Sequence, residues 1–142
     1  MKLLAFDTSS KALSVAILED ETLLAETTLT IKKNHSITLM PVIDFLMQQI
    51  DLKPKDLDRI MVAEGPGSYT GLRIAVATAK TLAHTLKIDL VGVSSLLALV
   101  PDDLEGLVVA VMDARRNNVY AGFYQGDQLV APEGHFPFEE VL

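Results

Sequence analysis

The residues best suited to chemistry form a glycine-rich segment, GPGSYTG at residues 65–71, directly before a pattern typical of a helix. Glycine permits a positive φ, and the N-terminus of a helix presents unpaired N–H groups that bind anions. The candidate anion- or nucleotide-binding residues are therefore Gly65, Gly67, Ser68 and Thr70. The segment lacks the Gly-Lys-Ser/Thr ending of a Walker A loop. A tight strand-to-helix turn without a ligand is the alternative interpretation.

A second polar group, DTSS at residues 7–10, follows the first apolar run of the chain. Asp7 can bind a cation or orient water, and Thr8 and Ser9 can donate hydrogen bonds to a ligand. An aspartate at the end of a strand is alternatively a turn residue. A two-metal nuclease of the ribonuclease H type needs several clustered carboxylates, and the sequence offers only Asp7 and Glu64 at the ends of neighbouring strands. The nuclease hypothesis is therefore weak.

The amino-acid composition excludes several classes of function. Twelve Lys and Arg against nineteen Asp and Glu give a net charge of −7, the opposite sign to that of a protein that binds nucleic acid by itself. No cysteine is present, which excludes disulfides and thiolate ligands, and the three histidines do not pair at a metal-ligand spacing. No apolar run approaches the roughly 20 residues that span a bilayer, and no signal peptide is evident. A cytoplasmic protein without a membrane partner is expected.

The elements that must position these residues follow from periodicity. Strands are predicted at residues 3–6, 12–18, 22–30, 59–63 and 90–93. Helices are predicted at 36–50, capped by Asn34 or Ser36, and at 72–86, with a third, short helix that Ser94 can cap and that ends before Pro101. The first three strands, joined by short turns, predict an antiparallel meander. The predicted elements therefore follow the order strand, strand, strand, helix, strand, helix, strand. This is the order of actin-like (ribonuclease H-like) domains, an α/β class with a mixed sheet and flanking helices.

The end of the chain repeats its beginning. Aligning Asp7 with Asp113 superimposes the two segments without a gap over roughly 25 residues. The aligned pairs include Leu13 with Val119, Ile17 with Phe123, Leu18 with Tyr124, Leu23 with Leu129 and Ala25 with Ala131. This pattern predicts a complete first actin-like domain over residues 1–103. Residues 104–142 then form the opening three strands of an incomplete second copy. Similarity between any two β-meanders is the alternative.

Four motifs, in order, resemble the TsaB family, also called YeaZ. They are LAFDTS at residues 4–9, His35-Ser36, GPGSYTGLRI at 65–74, and MDARR at 112–116 with Val119-Tyr120. The resemblance implies an actin-like subunit that takes part in making threonylcarbamoyladenosine on tRNA. It implies a scaffold that activates the catalytic paralogue TsaD and works with the ATPase TsaE. In isolation a homodimer is expected, and tRNA is expected to bind only through the complex.

The same resemblance bears on catalysis. TsaD-like proteins carry two metal-binding histidines, and the corresponding positions here are Ser95 and Leu99. Leucine cannot bind a metal and serine is a poor ligand. A pseudoenzyme is therefore expected, with no catalytic residues, no metal and no cofactor beyond weak adenine-nucleotide binding. The alternative is a nucleotide-dependent phosphotransferase or peptidase of the actin-like clan that uses Asp7 and residues 65–71.

The resemblance also implies a partner interface on the two helices of the first domain. The helix predicted at 36–50 is apolar on more than one side, which leaves side chains for another protein. Methionine adapts to alternative partners. The predicted interface residues are His35, Ile37, Met40, Met47, Ile74, Thr78 and Thr81.

Overall fold

The computed structural model describes residues 1–9, 12–30, 35–100, 106–114, 116–125, 128–137 and 139. Two α-helices, α1 (His35–Gln49) and α2 (Tyr69–Leu86), and two 3-10 turns, Pro54–Asp56 and Leu97–Leu99, accompany eight strands. The strands are β1 (Lys2–Asp7), β2 (Ala12–Glu19), β3 (Thr22–Thr30), β4 (Arg59–Ala63), β5 (Asp89–Val93), β6 (Leu107–Asp113), β7 (Asn118–Gln125) and β8 (Gln128–Pro137). The predicted order of elements is confirmed.

The first five strands form one mixed sheet in the order β3-β2-β1-β4-β5. β1, β2 and β3 pair antiparallel, whereas β4 is parallel to β1 and β5 is parallel to β4. The predicted meander is therefore confirmed. Because β1, β4 and β5 run in the same direction, their carboxyl ends lie side by side. Asp7, Glu64 and Ser94 stand at those ends and so come to one edge of the sheet.

Helices α1 and α2 pack on one face of this sheet. Side chains that alternate along β2 point into the shared core, together with one stripe of each helix. That stripe includes Leu39, Ile43 and Leu46 of α1 and Ala75 and Ala79 of α2. The small alanines allow α2 to approach the sheet closely.

The helix starts differ from the predictions. Helix α1 begins at His35, so Ser36 lies inside the helix and does not cap it, while Asn34 lies outside the described residues. Helix α2 begins at Tyr69 rather than Leu72, because Ser68 is its N-cap: Ser68 Oγ accepts a hydrogen bond from Gly71 N at 3.3 Å. The first turn of α2 therefore takes up part of the glycine-rich segment.

The last three strands form a second antiparallel sheet in the order β6-β7-β8. Strand β7 begins and ends at the residues that the alignment makes equivalent to the ends of β2. Both meanders also carry a register shift at the same aligned place, between Ile17 and Leu18 in β2 and between Phe123 and Tyr124 in β7.

The match between the two meanders is incomplete. Asp7 faces Ser14, whereas Asp113 faces Val119, so the first strand pair of the second sheet is displaced by one residue. The second copy stays a prediction, and its proposed boundary at residue 103 lies outside the described residues.

The second sheet packs on the chain that follows β5. Buried Leu96 contacts Ala110 and Tyr124, with Val100 and Met112 at the margin of the cluster. The segment after β5 and the second sheet therefore share a small apolar cluster. Among the described residues, no helix combines the length and the apolar character needed to cross a membrane.

Candidate functional site

The turn after β1 is closed by its own polar groups. Asp7 Oδ1 accepts hydrogen bonds from Ser9 N at 2.8 Å and from Ser9 Oγ at 2.5 Å. Thr8 Oγ1 donates to the carbonyl oxygen of Gly71 at 2.5 Å, and both Thr8 and Ser9 are buried. In this structure each of the two hydroxyls donates its proton inside the protein, and donation to a ligand stays a prediction. Asp7 acts as the turn residue that the alternative interpretation described.

The glycine-rich segment packs directly on that turn. Ser68 N donates to the carbonyl oxygen of Ser9 at 2.7 Å. A Cβ atom at Gly67 would overlap the backbone and side chain of Ser9, and a Cβ at Gly71 would overlap the carbonyl oxygen of Thr8. These two glycines therefore serve close backbone packing. The interpretation of this segment as a tight turn explains both glycines. Thr70, which was also predicted to bind an anion, is exposed on the first turn of α2.

Gly65 is held from the other side by Ser95. Gly65 N donates to Ser95 Oγ at 3.1 Å, and Ser95 N donates to Gly65 O at 2.8 Å. Ser95 is 1% exposed, whereas Leu99 is 53% exposed. The two positions where the resemblance places metal ligands are thus a buried structural hydroxyl and an exposed leucine. Ser94 caps the following turn as predicted, since its Oγ accepts from Leu96 N and Leu97 N.

A cavity of about 540 Å³ lies between the glycine-rich segment and the second sheet. Its lining residues are Glu64, Gly65, Pro66, Gly67, Leu72, Ser94, Tyr120 and Glu133. Two carboxylates, Glu64 and Glu133, therefore border the space where a ligand of the glycine-rich segment would lie. Sequence reasoning missed Glu133 because nothing in its spacing indicates that β8 folds back to the end of β5.

The phenol of Tyr124 is held next to this cavity. Tyr124 is 2% exposed, and its hydroxyl donates to Glu133 Oε2. Burial raises the pKa of Tyr124 above its ordinary value of 10.0, and the hydrogen bond to the Glu133 carboxylate raises the pKa further. Both effects favour the neutral phenol in the folded protein.

The raised pKa predicts a loss of stability in alkali. Above pH 10 the unfolded chain releases the Tyr124 proton before the folded chain does, so the free energy of unfolding should fall as pH rises from there. Tyr124→Phe should flatten this decline, because phenylalanine keeps most of the packing and has no proton to lose. Urea unfolding at neutral and alkaline pH measures the effect. Tyr69→Phe, at an exposed position, is the control, and an equal decline in both variants would contradict the prediction.

The predicted partner surface is partly corrected. Met40 is 43% exposed, as an interface residue should be, but Met47 is 4% exposed and packs in the core, so its assignment to the surface is wrong. The apolar stripe of α1 that faces the sheet is wide enough to include Met47. Phe45, 59% exposed on α1, was missed by sequence reasoning. We use the term helix surface for Met40 and Phe45 of α1 together with Ile74 of α2.

The other predicted interface residues have varied surroundings. Ile74 and Thr78 are half-buried, and the exposed Thr81 donates its hydroxyl proton to Ala77 O at 2.9 Å within α2. His35 and Ile37 lie in α1, but their side chains are outside the described part of the structure. At the start of α2, the Arg73 guanidinium lies 5.4 Å from the centre of the exposed Tyr69 ring.

Comparisons with known proteins agree with this architecture. The family model "TsaD: tRNA N6-adenosine threonylcarbamoyltransferase" matches residues 22–142. The tRNA threonylcarbamoyladenosine biosynthesis protein TsaB of Bacillus subtilis is 47% identical over 127 residues, which cover 88% of this chain and 56% of that protein. The crystal structure of YeaZ from Pseudomonas aeruginosa is 32% identical, with a TM-score of 0.86, over 96% of this chain and 67% of that one.

A more distant similarity concerns the fold alone. The ethanolamine utilization protein EutJ from Carboxydothermus hydrogenoformans is 15% identical, with a TM-score of 0.54 over 96% of this chain and 52% of that one. Fold and sheet topology define an α/β protein of the actin-like class. Within that class, the chain belongs to the TsaB (YeaZ) family. It spans little more than half the length of the curated TsaB relatives that it matches.

Proposed function

We propose that this chain acts as a non-catalytic scaffold in the formation of threonylcarbamoyladenosine on tRNA. In this proposal it binds and activates a TsaD-like catalytic subunit and works with a TsaE-like ATPase. Membership of the TsaB family, whose relatives are named as tRNA threonylcarbamoyladenosine biosynthesis proteins, supports the pathway. The net charge of −7 is consistent with contact to tRNA only through the complex.

One observation, at positions 95 and 99, supports the non-catalytic role. Ser95 is buried and its Oγ accepts a hydrogen bond from Gly65 N, so it serves the turn that holds the glycine-rich segment. Leu99 has no atom that can bind a metal. A chain built in this way relies on another subunit for the metal-dependent transfer step.

The negative charges that border the cavity argue against a nucleotide-driven reaction. A polyphosphate next to Gly65 and Gly67 would lie in the cavity that Glu64 and Glu133 border, and the like charges of phosphate and carboxylate repel each other there. Thr8 and Ser9, the expected hydroxyl donors, have no free proton for it. The phosphotransferase alternative and the weak adenine-nucleotide binding expected from the sequence are both disfavoured by these contacts.

We predict that calorimetry with ATP and magnesium detects no binding at micromolar concentration. The physical reason is the repulsion between phosphate and the two cavity carboxylates. Glu64→Lys, which replaces one of them by a cation at an exposed position, is expected to raise the affinity for ATP. Micromolar binding with hydrolysis by the unaltered chain would contradict the prediction and favour the phosphotransferase.

Partner binding is assigned to the helix surface in this proposal. Met40 and Phe45 are exposed on α1, outside its core stripe, and present apolar area to a partner. An exposed tyrosine with an arginine over its ring, Tyr69 and Arg73, adds residue types that are enriched at interfaces. The same surface would form the homodimer when the partner is absent, which makes the two assemblies mutually exclusive.

A reconstituted tRNA modification assay tests the proposal. The TsaD-like and TsaE-like subunits are incubated with threonylcarbamoyl-adenylate and tRNA, with and without this chain. We expect modification only when the chain is present, and none from the chain alone. Ser95→Ala, if it folds, is expected to keep the scaffold role in this assay. Turnover by the chain without the catalytic subunit, or no stimulation of that subunit, would refute the scaffold role.

A further inference from the structure

Three side chains are hydrogen-bonded where the second sheet meets the end of β5: Ser94 after β5, Tyr124 on β7 and Glu133 on β8. Ser94 Oγ donates to Glu133 Oε2 at 2.5 Å, and the Tyr124 hydroxyl donates to the same carboxylate oxygen. Ser94 and Glu133 are 39 residues apart in the chain. The carboxylate therefore links the second sheet to the end of β5.

The direction of the Ser94 hydrogen bond is fixed by its other partners. Ser94 Oγ accepts from Leu96 N at 3.2 Å and from Leu97 N at 3.4 Å. A serine hydroxyl has two lone pairs and one proton. With both lone pairs used by backbone N–H groups, the proton is directed to Glu133. A carboxylate that accepts two hydroxyl protons makes charge-assisted bonds, which are stronger than neutral ones.

The three side chains lie where the second sheet meets the end of β5, and two of them, Ser94 and Glu133, border the cavity. Tyr124 packs against Leu96 and Ala110, so its hydroxyl cannot move away from Glu133 without opening that apolar cluster. On the other side, Ser94 and Glu133 line the cavity across from Gly65 and Gly67. The width of the cavity therefore depends on the contact between Ser94 and Glu133.

We propose that Glu133 is a latch that holds the second sheet against the end of β5 and fixes the width of the cavity at the glycine-rich segment. The apolar cluster shared by the second sheet and the segment after β5 is small, and relative motion is the default for units joined by small interfaces. The latch supplies directional bonds that the cluster lacks. Its loss allows the second sheet to move as a unit and opens the cavity. This inference does not depend on the proposed function.

A distance measurement on the full chain tests the latch. The protein has no cysteine, so Lys80→Cys on α2 and Gln125→Cys on β7, both at exposed positions, accept one spin label each. Pulsed electron paramagnetic resonance should give one narrow distance distribution. Adding Glu133→Ala should broaden the distribution, and amides of β8 should exchange about ten times faster, because two hydrogen bonds are lost. Unchanged distances and exchange in Glu133→Ala would overturn the proposal.

Two further variants separate the latch from a general loss of stability. Glu133→Gln keeps a side-chain oxygen that can accept from both hydroxyls, and should preserve the narrow distribution. Glu26→Ala, which removes an exposed glutamate from β3, should change nothing. If Glu133→Ala does not fold, Ser94→Asp tests the latch instead, because its carboxylate can still accept from Leu96 N and Leu97 N but cannot donate to Glu133. Broadening in Ser94→Asp supports the latch, and an unchanged distribution overturns it.

Discussion

Replacing Gly71 by alanine should cost about 3 kcal/mol of stability, at the upper end of what overpacking costs in a protein interior. The added methyl group would overlap the carbonyl oxygen of Thr8, which is backbone and cannot rotate away. Helix α2 cannot retreat either, because Thr8 Oγ1 donates to Gly71 O at 2.5 Å and Gly71 N donates to Ser68 Oγ. The substitution must therefore break the helix cap or displace the turn after β1.

Urea unfolding of the variant measures this cost. The matched control is Gly106→Ala, where a Cβ atom meets nothing within 4 Å and only the positive φ of +85° opposes the change. That backbone strain alone costs about 1 kcal/mol. Equal losses in the two variants would show that close packing between α2 and β1 is not what Gly71 provides.

The sequence predicted the first three strands from the apolar run of β1, the alternation of β2 and the β-branched residues of β3, and their pairing from the short turns between them. Leu13, Val15 and Ile17 alternate and are all buried. The start of α2 was predicted too late because Tyr69, Thr70 and Gly71 are neither apolar nor good helix formers. What fixes the start is the Ser68 hydroxyl, a single contact that periodicity does not show.

Side-chain contacts could not be predicted from the sequence where they depend on the packing of distant parts. Thr8 and Ser9 resemble ligand donors in isolation, yet their partners are Gly71 and Asp7. Nothing local in the sequence indicates that Gly71 comes to the end of β1. Glu133 was missed for the same reason, since its partners lie on β7 and after β5. Contacts across elements decide which polar groups remain available to a ligand, and one sequence does not give those contacts.

Met47 was assigned to the partner surface although its spacing fits the core. The core stripe of α1 includes Leu39, Ile43, Leu46 and Met47, which stand at i, i+4, i+7 and i+8, the spacing of one helix face. The sequence prediction placed Met47 with Met40 on the partner surface. Met47 faces inward with the core stripe, whereas Met40 and Phe45 are exposed.

Phe45→Asp should weaken binding to the TsaD-like subunit by roughly 30-fold or more, the loss of about 2 kcal/mol that marks an interface hot spot. Phe45 is 59% exposed and contributes little to the core, so the variant is expected to fold normally. Calorimetric titration with the purified partner measures the affinity, and light scattering follows the homodimer. Both assemblies should weaken together if they use the same helix surface.

Two other substitutions by aspartate show whether the effect of Phe45→Asp is specific to the helix surface. Leu23→Asp places the same charge at an exposed apolar position on β3, away from the helix surface, and should leave both assemblies unchanged. Met47→Asp buries an unpaired charge in the core and should unfold the chain, so its effect on binding carries no information about the interface. If Phe45→Asp binds the partner as tightly as the unaltered chain, the exposed side of α1 is not the contact. The scaffold would then have to bind through another face, such as the exposed apolar strand β6, whose Leu107, Val109 and Val111 are also accessible.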